Sequence, residues 1–325
     1  GVEAVWGPEG AYRESTQTRE QICINGLWRW QPAREGSDTV PSTGWGYFKV
    51  PGCWPGITNY MQKDCQTVHA HPQWKDVRYG SLAAAWYQRE ITVPRAWANR
   101  RITLTIEYLN SLAMVFIDGR KAADNRFPAG EADLTPFCRP EQQHVLSILV
   151  VAMPLKGVML SYNDTNAARA TQGRVNRRGL CGDVYLDSAP SGPRIGALKI
   201  DTSVRKGELT TRAVLHGLEP GASYRICSTI TDRDGQQVAE FTSALNSDVD
   251  RGPVEATWKW LPDQLWDLHT PRNIHRLQFS LLDAGGAVLD VFRPVRFGFS
   301  EFWIDGRDFY LHGTRVFLSS FLLDS

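Results

Sequence analysis

Residues 102–108 read ITLTIEY, so that Ile102, Leu104 and Ile106 alternate with Thr103 and Thr105. Because successive side chains of a strand point to opposite faces of its sheet, this period of two predicts a half-buried β-strand. The alternation returns further along the chain, in residues 113–117, 145–151, 209–215, 224–230, 254–260 and 275–281. Glycine-containing turns separate these stretches, and no segment longer than two helical turns has a period of 3.6. The chain is therefore predicted to be all-β, folded as packed sandwiches.

The domain organisation follows from the length of the chain and from one segment that interrupts the strand pattern. At 325 residues the chain is about twice as long as an average domain, so two domains are expected. The segment Ser188-Ala189-Pro190-Ser191-Gly192-Pro193 cannot form a central strand, and it predicts a boundary after residue 190. Residues 191–298 have the strand spacing of an immunoglobulin-like sandwich. The apolar strands predicted in residues 299–325 either fold back on that sandwich or continue into a larger protein.

Charge and hydropathy exclude two classes of partner. Lys and Arg number 36 against 35 for Asp and Glu, which leaves a net charge of +1 and no basic excess for binding phosphates. The longest apolar stretches, such as residues 148–153, are far shorter than the roughly 20 residues of a membrane helix. Neither nucleic acid nor a membrane is expected as a partner. An even number of cysteines and an initial Gly suit a secreted or periplasmic protein.

The six cysteines contain no CxxC pair, so the usual zinc motifs are not present. Cys53 and Cys65 are close enough in sequence for a disulfide, although buried free thiols are the preferred interpretation. His69 and His71 would bind a metal only if a third ligand converged on them, and the sequence indicates none. No metal and no cofactor are therefore predicted.

Several short segments follow one another in a characteristic order: Asn25-Gly26-Leu27-Trp28, Val50-Pro51-Gly52-Cys53-Trp54, Ala85-Trp86-Tyr87-Gln88-Arg89 with Val93-Pro94, Val115-Phe116-Ile117-Asp118-Gly119, Asp133-Leu134-Thr135, Val145-Leu146-Ser147-Ile148, and residues 178–186. This series resembles the N-terminal, galactose-binding-like jelly roll of glycoside hydrolase family 2. Leu265-Trp266, Thr270-Pro271 and Arg296-Phe297-Gly298-Phe299 look like the end of that family's immunoglobulin-like second domain. Residues 309–318 resemble the lead-in to its catalytic (β/α)₈ barrel. The resemblance implies a jelly roll in residues 1–190, an immunoglobulin-like sandwich in 191–298 and a barrel lead-in in 299–325.

The resemblance implies a retaining exo-glycosidase, such as a β-galactosidase, β-glucuronidase or β-mannosidase. That chemistry uses two carboxyl groups about 5 Å apart, which in the family both come from the barrel, the acid/base Glu directly after an Asn. The chain contains no Asn-Glu dipeptide. We therefore assign no catalytic residue and expect the chain to be inactive alone. Its expected partners are a carbohydrate and the barrel. Three positions depart from the family pattern: Ser300 stands where Arg is usual, His312 where Asn is usual, and Gly173 where some members have an acidic ligand.

Residues 53–80 form the longest connection without a strand pattern, and such loops often carry function. Trp54, His71 and Trp74 are the candidate sugar-binding residues, because aromatic rings stack on sugar rings and His donates hydrogen bonds. The alternative is that these aromatics anchor the loop to the sandwich.

Two further clusters have both a structural and a functional interpretation. Trp258, Trp260 and Trp266 resemble a stacking platform, but alternation within a strand favours core or interface positions. The arginines 174, 177 and 178 would suit the carboxylate of an acidic sugar, whereas a solvated edge or an ion pair is the preferred alternative.

Three functions are compatible with the sequence. The chain is either the non-catalytic front of a glycoside hydrolase, a carbohydrate-binding protein in its own right, or a structural or adhesive module of two sandwiches. The apolar strands predicted in residues 299–325 favour the first.

Overall fold

The computed structural model describes residues 7, 10–34, 36, 38–54, 68–152, 158–162, 168–172, 177–246 and 253–319. The chain divides into two compact units: residues 1–14 with 20–188, and residues 15–19 with 189–325. The prediction of an all-β chain is confirmed, since the helices in the described residues are three short 3₁₀ turns, Pro72–Trp74, Tyr79–Ser81 and Arg95–Trp97. Within those same residues, no helix has the length and apolar character needed to cross a membrane.

The first sixteen strands are β1 (Arg13–Ser15), β2 (Glu20–Cys23), β3 (Gly26–Pro32), β4 (Gly46–Val50), β5 (Val68–His69), β6 (Ala84–Thr92), β7 (Arg101–Ile106), β8 (Leu109–Asn110), β9 (Leu112–Ile117), β10 (Arg120–Arg126), β11 (Gly130–Asp133), β12 (Gln143–Val151), β13 (Val158–Tyr162), β14 (Ala168–Gln172), β15 (Gly179–Leu180) and β16 (Val184–Ala189). Two large sheets contain most of them. A five-stranded sheet has the order β1-β2-β16-β7-β11, and a seven-stranded sheet has the order β10-β9-β12-β6-β3-β4-β5.

The core of the first unit is formed by the inward faces of these strands. On β7 the residues Ile102, Leu104 and Ile106 are buried, as the alternation predicts, while Thr105 is half-buried. Thr103 is buried as well. Strands β6 and β12 are buried along most of their length, because a second, smaller cluster of Trp86, Phe116 and Leu149 covers part of the other side of their sheet. Such continuous burial is expected for the central strands of a large sheet.

The remaining strands are β17 (Arg194–Ser203), β18 (Glu208–His216), β19 (Ser223–Thr231), β20 (Gln237–Asn246), β21 (Val254–Lys259), β22 (His275–Asp283), β23 (Val288–Val291), β24 (Val295–Phe297), β25 (Phe302–Asp305), β26 (Asp308–Leu311) and β27 (Thr314–Val316). Strands β17-β18-β21 form one sheet; a second has the order β20-β19-β22-β23, with β24 also paired to β22. Their buried side chains make the second core, which includes Leu209, Ile226 and Phe279. This arrangement is a second sandwich.

Residues 15–19 belong to this second unit although they lie in sequence at the junction of β1 and β2, two strands of the first sandwich. Asp290 on β23 is fully buried, and its carboxylate accepts hydrogen bonds from Arg19, from the Thr18 hydroxyl and from the Ile195 backbone N–H. The Thr16 hydroxyl donates to the carbonyl of Val291 at 2.8 Å. A buried carboxylate needs such partners to offset its lost hydration. The sequence pattern did not predict this anchoring of the early segment.

Residues 302–316 form a separate antiparallel sheet, β25-β26-β27. Glu301 binds Arg205 at 2.7 Å, and the Nε2 atom of His312 lies 2.7 Å from the carbonyl oxygen of Trp266. His312, which departs from the family pattern, thus tethers this sheet to the second sandwich. The apolar side chains of Phe302, Ile304, Phe317 and Leu318 are exposed by between 49% and 83%.

Candidate functional site

Trp54 is the first predicted sugar contact in the loop of residues 53–80, and its side chain is completely buried. Its backbone N–H donates to the carbonyl of Arg178 at 2.8 Å, in an antiparallel bridge. Its ring centroid lies 6.1 Å from that of Trp30 on β3, in an edge-on contact. Both faces of the indole are therefore enclosed within the first sandwich.

Trp74 lies in the 3₁₀ turn Pro72–Trp74 and is 7% exposed. Its ring centroid is 5.3 Å from that of Trp30, and its indole N–H donates to the carbonyl of Gly44 at 2.8 Å. Gly46 lies against the ring, where an added Cβ would come within 2.6 Å of it. Trp74 thus fixes the loop against β4, and its polar atom is used in doing so.

His71 is the most accessible of the three predicted contacts, being half-buried. Its Nδ1 accepts a hydrogen bond from the backbone N–H of Gln73 at 3.2 Å and so caps the 3₁₀ turn. The burial of Trp54 and Trp74 is what the anchoring alternative expects, since stacking on a sugar requires an open ring face. Sugar binding by His71 stays a prediction. Tyr60 and Cys65 of this loop lie outside the described residues.

The arginine cluster is only partly described, because Arg174 and Gly173 fall outside the described residues. Arg178 donates to the backbone carbonyls of Gly80 and Leu82, and thereby holds the far end of the loop. Arg177 is exposed, and its carbonyl accepts a hydrogen bond from the side chain of Asn110 at 2.7 Å. The sequence offered two interpretations of this cluster, a site for a sugar carboxylate and a solvated edge or ion pair. Arg178 has neither role here, because its guanidinium binds backbone carbonyls.

A groove of about 380 Å³ opens in the second unit between the β19–β20 turn, the segment that follows β21 and the residues at the start of β22. Its lining includes Asp232, Asp234, Asp263, Trp260 and His275. Asp232 accepts hydrogen bonds from the backbone N–H groups of residues 234 and 236, each at 2.9 Å, so it shapes the turn. No sequence signal indicated this groove, because its walls are distant in sequence.

The electrostatics of the groove favour uncharged or cationic groups. Three carboxylates face one guanidinium, that of Arg233, along the lining. His275 is 6% exposed, and burial lowers its pKa below the ordinary value, which keeps the imidazole neutral at pH 7. Trp260 meets the His275 ring edge-on at 5.3 Å and also contacts Phe299. The carboxylate of an acidic sugar would be repelled here.

Trp258 and Trp266 have packing roles. Trp258 stacks on Phe241 with ring centroids 5.2 Å apart. Trp266 covers Gly298, where an added Cβ would lie 2.5 Å from its ring. Both are half-buried in the second unit. Among the side chains that the structure describes, no group of three His, Cys, Asp or Glu could hold a metal ion.

The chain is thus an all-β protein of two sandwiches followed by a small three-stranded sheet. Solved structures that share this fold include β-glucuronidases. The enzyme from Ruminococcus gnavus in complex with D-glucuronic acid matches 95% of this chain with a TM-score of 0.69 and 16% identity. A β-glucuronidase from an uncultured Clostridium sp. matches 94% with a TM-score of 0.65 and 17% identity.

The likeness extends to about half of each neighbour, 51% of the Ruminococcus gnavus chain and 49% of the Clostridium chain. No protein-family model matches the chain. The resemblance to glycoside hydrolase family 2 is confirmed as a likeness in fold that includes both sandwiches.

Proposed function

We propose that this chain is the non-catalytic part of a glycoside hydrolase, which supports a (β/α)₈ barrel carrying the catalytic carboxylates. The observation that carries the proposal is the fold likeness, which extends over both sandwiches and yet covers only half of each β-glucuronidase. A single shared sandwich would be weak support, because sandwiches serve many functions. Two in the same order, followed by a small apolar sheet, are a more specific combination.

Several acidic groups that the structure describes have structural partners. Asp290 is bound by Arg19, Glu301 by Arg205, and Asp118 by His144. Burial by itself would raise the pKa of Glu301, but the hydrogen bonds and charge of Arg205, together with a hydrogen bond from Ser203, lower it below its ordinary value. A glycosidase acid needs the opposite, a raised pKa that keeps its proton at neutral pH. These carboxylates are therefore better suited to a structural role than to proton transfer.

The chain alone is expected not to hydrolyse aryl β-glycosides. Without a placed acid and a placed nucleophile, neither departure of the leaving group nor attack on the anomeric carbon is assisted. Purified protein assayed with aryl β-glucuronides, galactosides and mannosides should give the rate of the buffer blank. A preparation from a host strain without glycosidases is the control. Turnover that persists in that preparation and follows the protein through gel filtration would contradict the proposal.

The coding region downstream of Ser325 provides a direct test. We expect the reading frame to continue into a (β/α)₈ barrel that contains an Asn-Glu dipeptide. A stop codon immediately after Ser325 in the natural gene would instead favour a carbohydrate-binding or adhesive protein of two sandwiches.

Sugar binding by the first unit is expected to be weak, with a Kd on the order of millimolar, since a few exchanged hydrogen bonds give only about 4 kcal/mol. NMR titration of the whole chain with monosaccharides measures it. His71→Asn removes the imidazole but keeps a side-chain acceptor for the 3₁₀ turn, so it should weaken binding at least about threefold with little loss of stability. His69→Asn is the matched control. Equal affinity of the two variants would exclude His71 as a contact.

A further inference from the structure

Two cysteines far apart in sequence meet at the edge of the first sandwich. The backbone N–H groups of Gly52 and Trp54 donate to the carbonyls of Leu180 and Arg178, both at 2.8 Å. In antiparallel pairing, Cys53 then lies opposite Gly179. The Sγ atom of Cys181 lies 3.5 Å from the carbonyl oxygen of that same Gly179.

The two side chains converge as a result of this register. The side chains of Cys53 and Cys181 lie close enough for the Cys181 thiol to donate a hydrogen bond to the sulfur of Cys53. Both cysteines are free and half-buried, so the site is reached by small molecules in solution. By contrast, Cys138 lies in the core, and burial raises the pKa of its thiol to about 12. The pair is therefore distinct from the structural cysteines of the sandwich.

Electrostatics make the two thiols unequal. The hydrogen bond from Cys181 and the nearby guanidinium of Arg177 lower the pKa of Cys53 below its ordinary value. The pKa of Cys181 is raised, first because its proton is held in the hydrogen bond to Cys53, and further because of burial and of the negative charge of the Cys53 thiolate. Near neutral pH the pair holds one proton, on Cys181. A thiolate is the nucleophilic form of cysteine, so Cys53 is the reactive member.

We propose that Cys53 and Cys181 form a thiol oxidation site, in which Cys53 attacks a small-molecule disulfide and Cys181 resolves the adduct into an intramolecular disulfide. With oxidised glutathione as co-reactant, the Cys53 thiolate attacks one sulfur, the S–S bond of glutathione breaks, and one glutathione leaves as a thiolate that takes a proton from water. Cys181 then gives its proton to solvent and attacks the Cys53 sulfur, releasing the second glutathione. Starting from the Cys53 thiolate and the Cys181 thiol, the chain loses two electrons and one proton. The glutathione disulfide gains the two electrons, and each glutathione that leaves takes its proton from solvent.

The disulfide would join the chain just after β4 to the chain just after β15. It closes a loop of more than a hundred residues, because most of the sequence of the first unit lies between positions 53 and 181. Cross-links over long loops restrict the unfolded chain most. Oxidation should therefore raise the Tm of the first unit by about 5 °C or more.

The test uses the whole chain, reduced and then incubated with oxidised glutathione, followed by mass spectrometry of peptides under non-reducing conditions. We expect a peptide that links Cys53 to Cys181. Cys181→Ser should stop at one glutathione on Cys53, and Cys53→Ser should leave Cys181 unmodified. Cys65→Ser should leave the cross-link intact, and Cys227→Ser, which removes a half-buried thiol of the second unit, is the matched control.

Two measurements remain informative if a variant loses stability. The rate of Cys53 alkylation by iodoacetamide should be half-maximal well below the pH of about 8.5 that a free cysteine shows, and this midpoint should rise in Cys181→Ala, which removes the hydrogen-bond donor. The rise in Tm on oxidation should occur in the wild type, in Cys65→Ser and in Cys227→Ser, and it should be lost in Cys53→Ser and Cys181→Ser. A Cys53–Cys65 cross-link, or oxidation of Cys227 or Cys23 before Cys53, would overturn the proposal.

Discussion

Replacing Asp290 by Ala is expected to lower the free energy of unfolding of the second unit by about 3–5 kcal/mol, the usual cost of breaking a buried ion pair. The Asp290 side chain has no exposed surface, and the Arg19 side chain is 16% exposed. Arg19 donates from Nε at 2.9 Å and from Nη2 at 2.5 Å, one bond to each carboxylate oxygen. Thr18 and the backbone of Ile195 donate at 2.9 Å and 2.8 Å. The Ala variant leaves all of these donors without their acceptor.

Urea denaturation combined with calorimetry measures this loss, since the two units need not unfold together. Glu255→Gln is the control within the same unit, because the Glu255 side chain is 53% exposed where it pairs with Arg212. Exposed pairs contribute up to about 1 kcal/mol. If the two variants unfolded alike, the anchoring of residues 15–19 by Asp290 would be wrong.

The sequence predicts the strands far better than it predicts this anchor. Alternation within residues 102–108 marks β7 because the period of two is a local property of the chain. Arg19 and Asp290 are separated by 271 residues, and nothing near either position indicates the other. A charged residue is ordinarily expected at the surface. Its burial becomes evident only once the fold brings a partner to it.

The candidate loop shows the same limit of sequence-based prediction, for residues that are much closer together in the sequence. A segment without periodicity gives no information on which way its side chains point, so Trp54 and Trp74 suit a sugar surface and a core equally well. The deciding partner is Trp30, more than twenty residues from either, which the alternation of β3 places inside the sandwich. The aromatic residues in 53–80 can therefore be recognised as anchors only in the folded structure, where the loop packs against β3.

Trp30→Ala is expected to be among the most destabilising single changes in the first unit, with a loss of about 3–5 kcal/mol. Trp30 has no exposed surface. Its ring contacts five described aromatic rings, those of Phe48, Trp54, Trp74, Tyr79 and Tyr87, at centroid distances of 5.3 to 6.4 Å. Three of these contacts come from the candidate loop. The variant removes the common partner of all five and leaves a cavity that rigid neighbouring rings fill poorly.

Near-UV circular dichroism and urea denaturation should show both consequences, a loss of the aromatic signal of the first unit and an earlier unfolding transition. Tyr12→Ala is the matched control, because the Tyr12 side chain is 64% exposed and its removal should change stability by less than about 1 kcal/mol. Trp30→Ala should also increase hydrogen exchange at Trp74, whose backbone N–H donates to the carbonyl of His71 at 3.0 Å. If the exchange of that amide stayed unchanged while the core lost stability, the loop would be held by contacts other than Trp30. In that case the ring of Trp74 would again be a candidate for binding sugar, since its packing on Trp30 would no longer be what fixes its place.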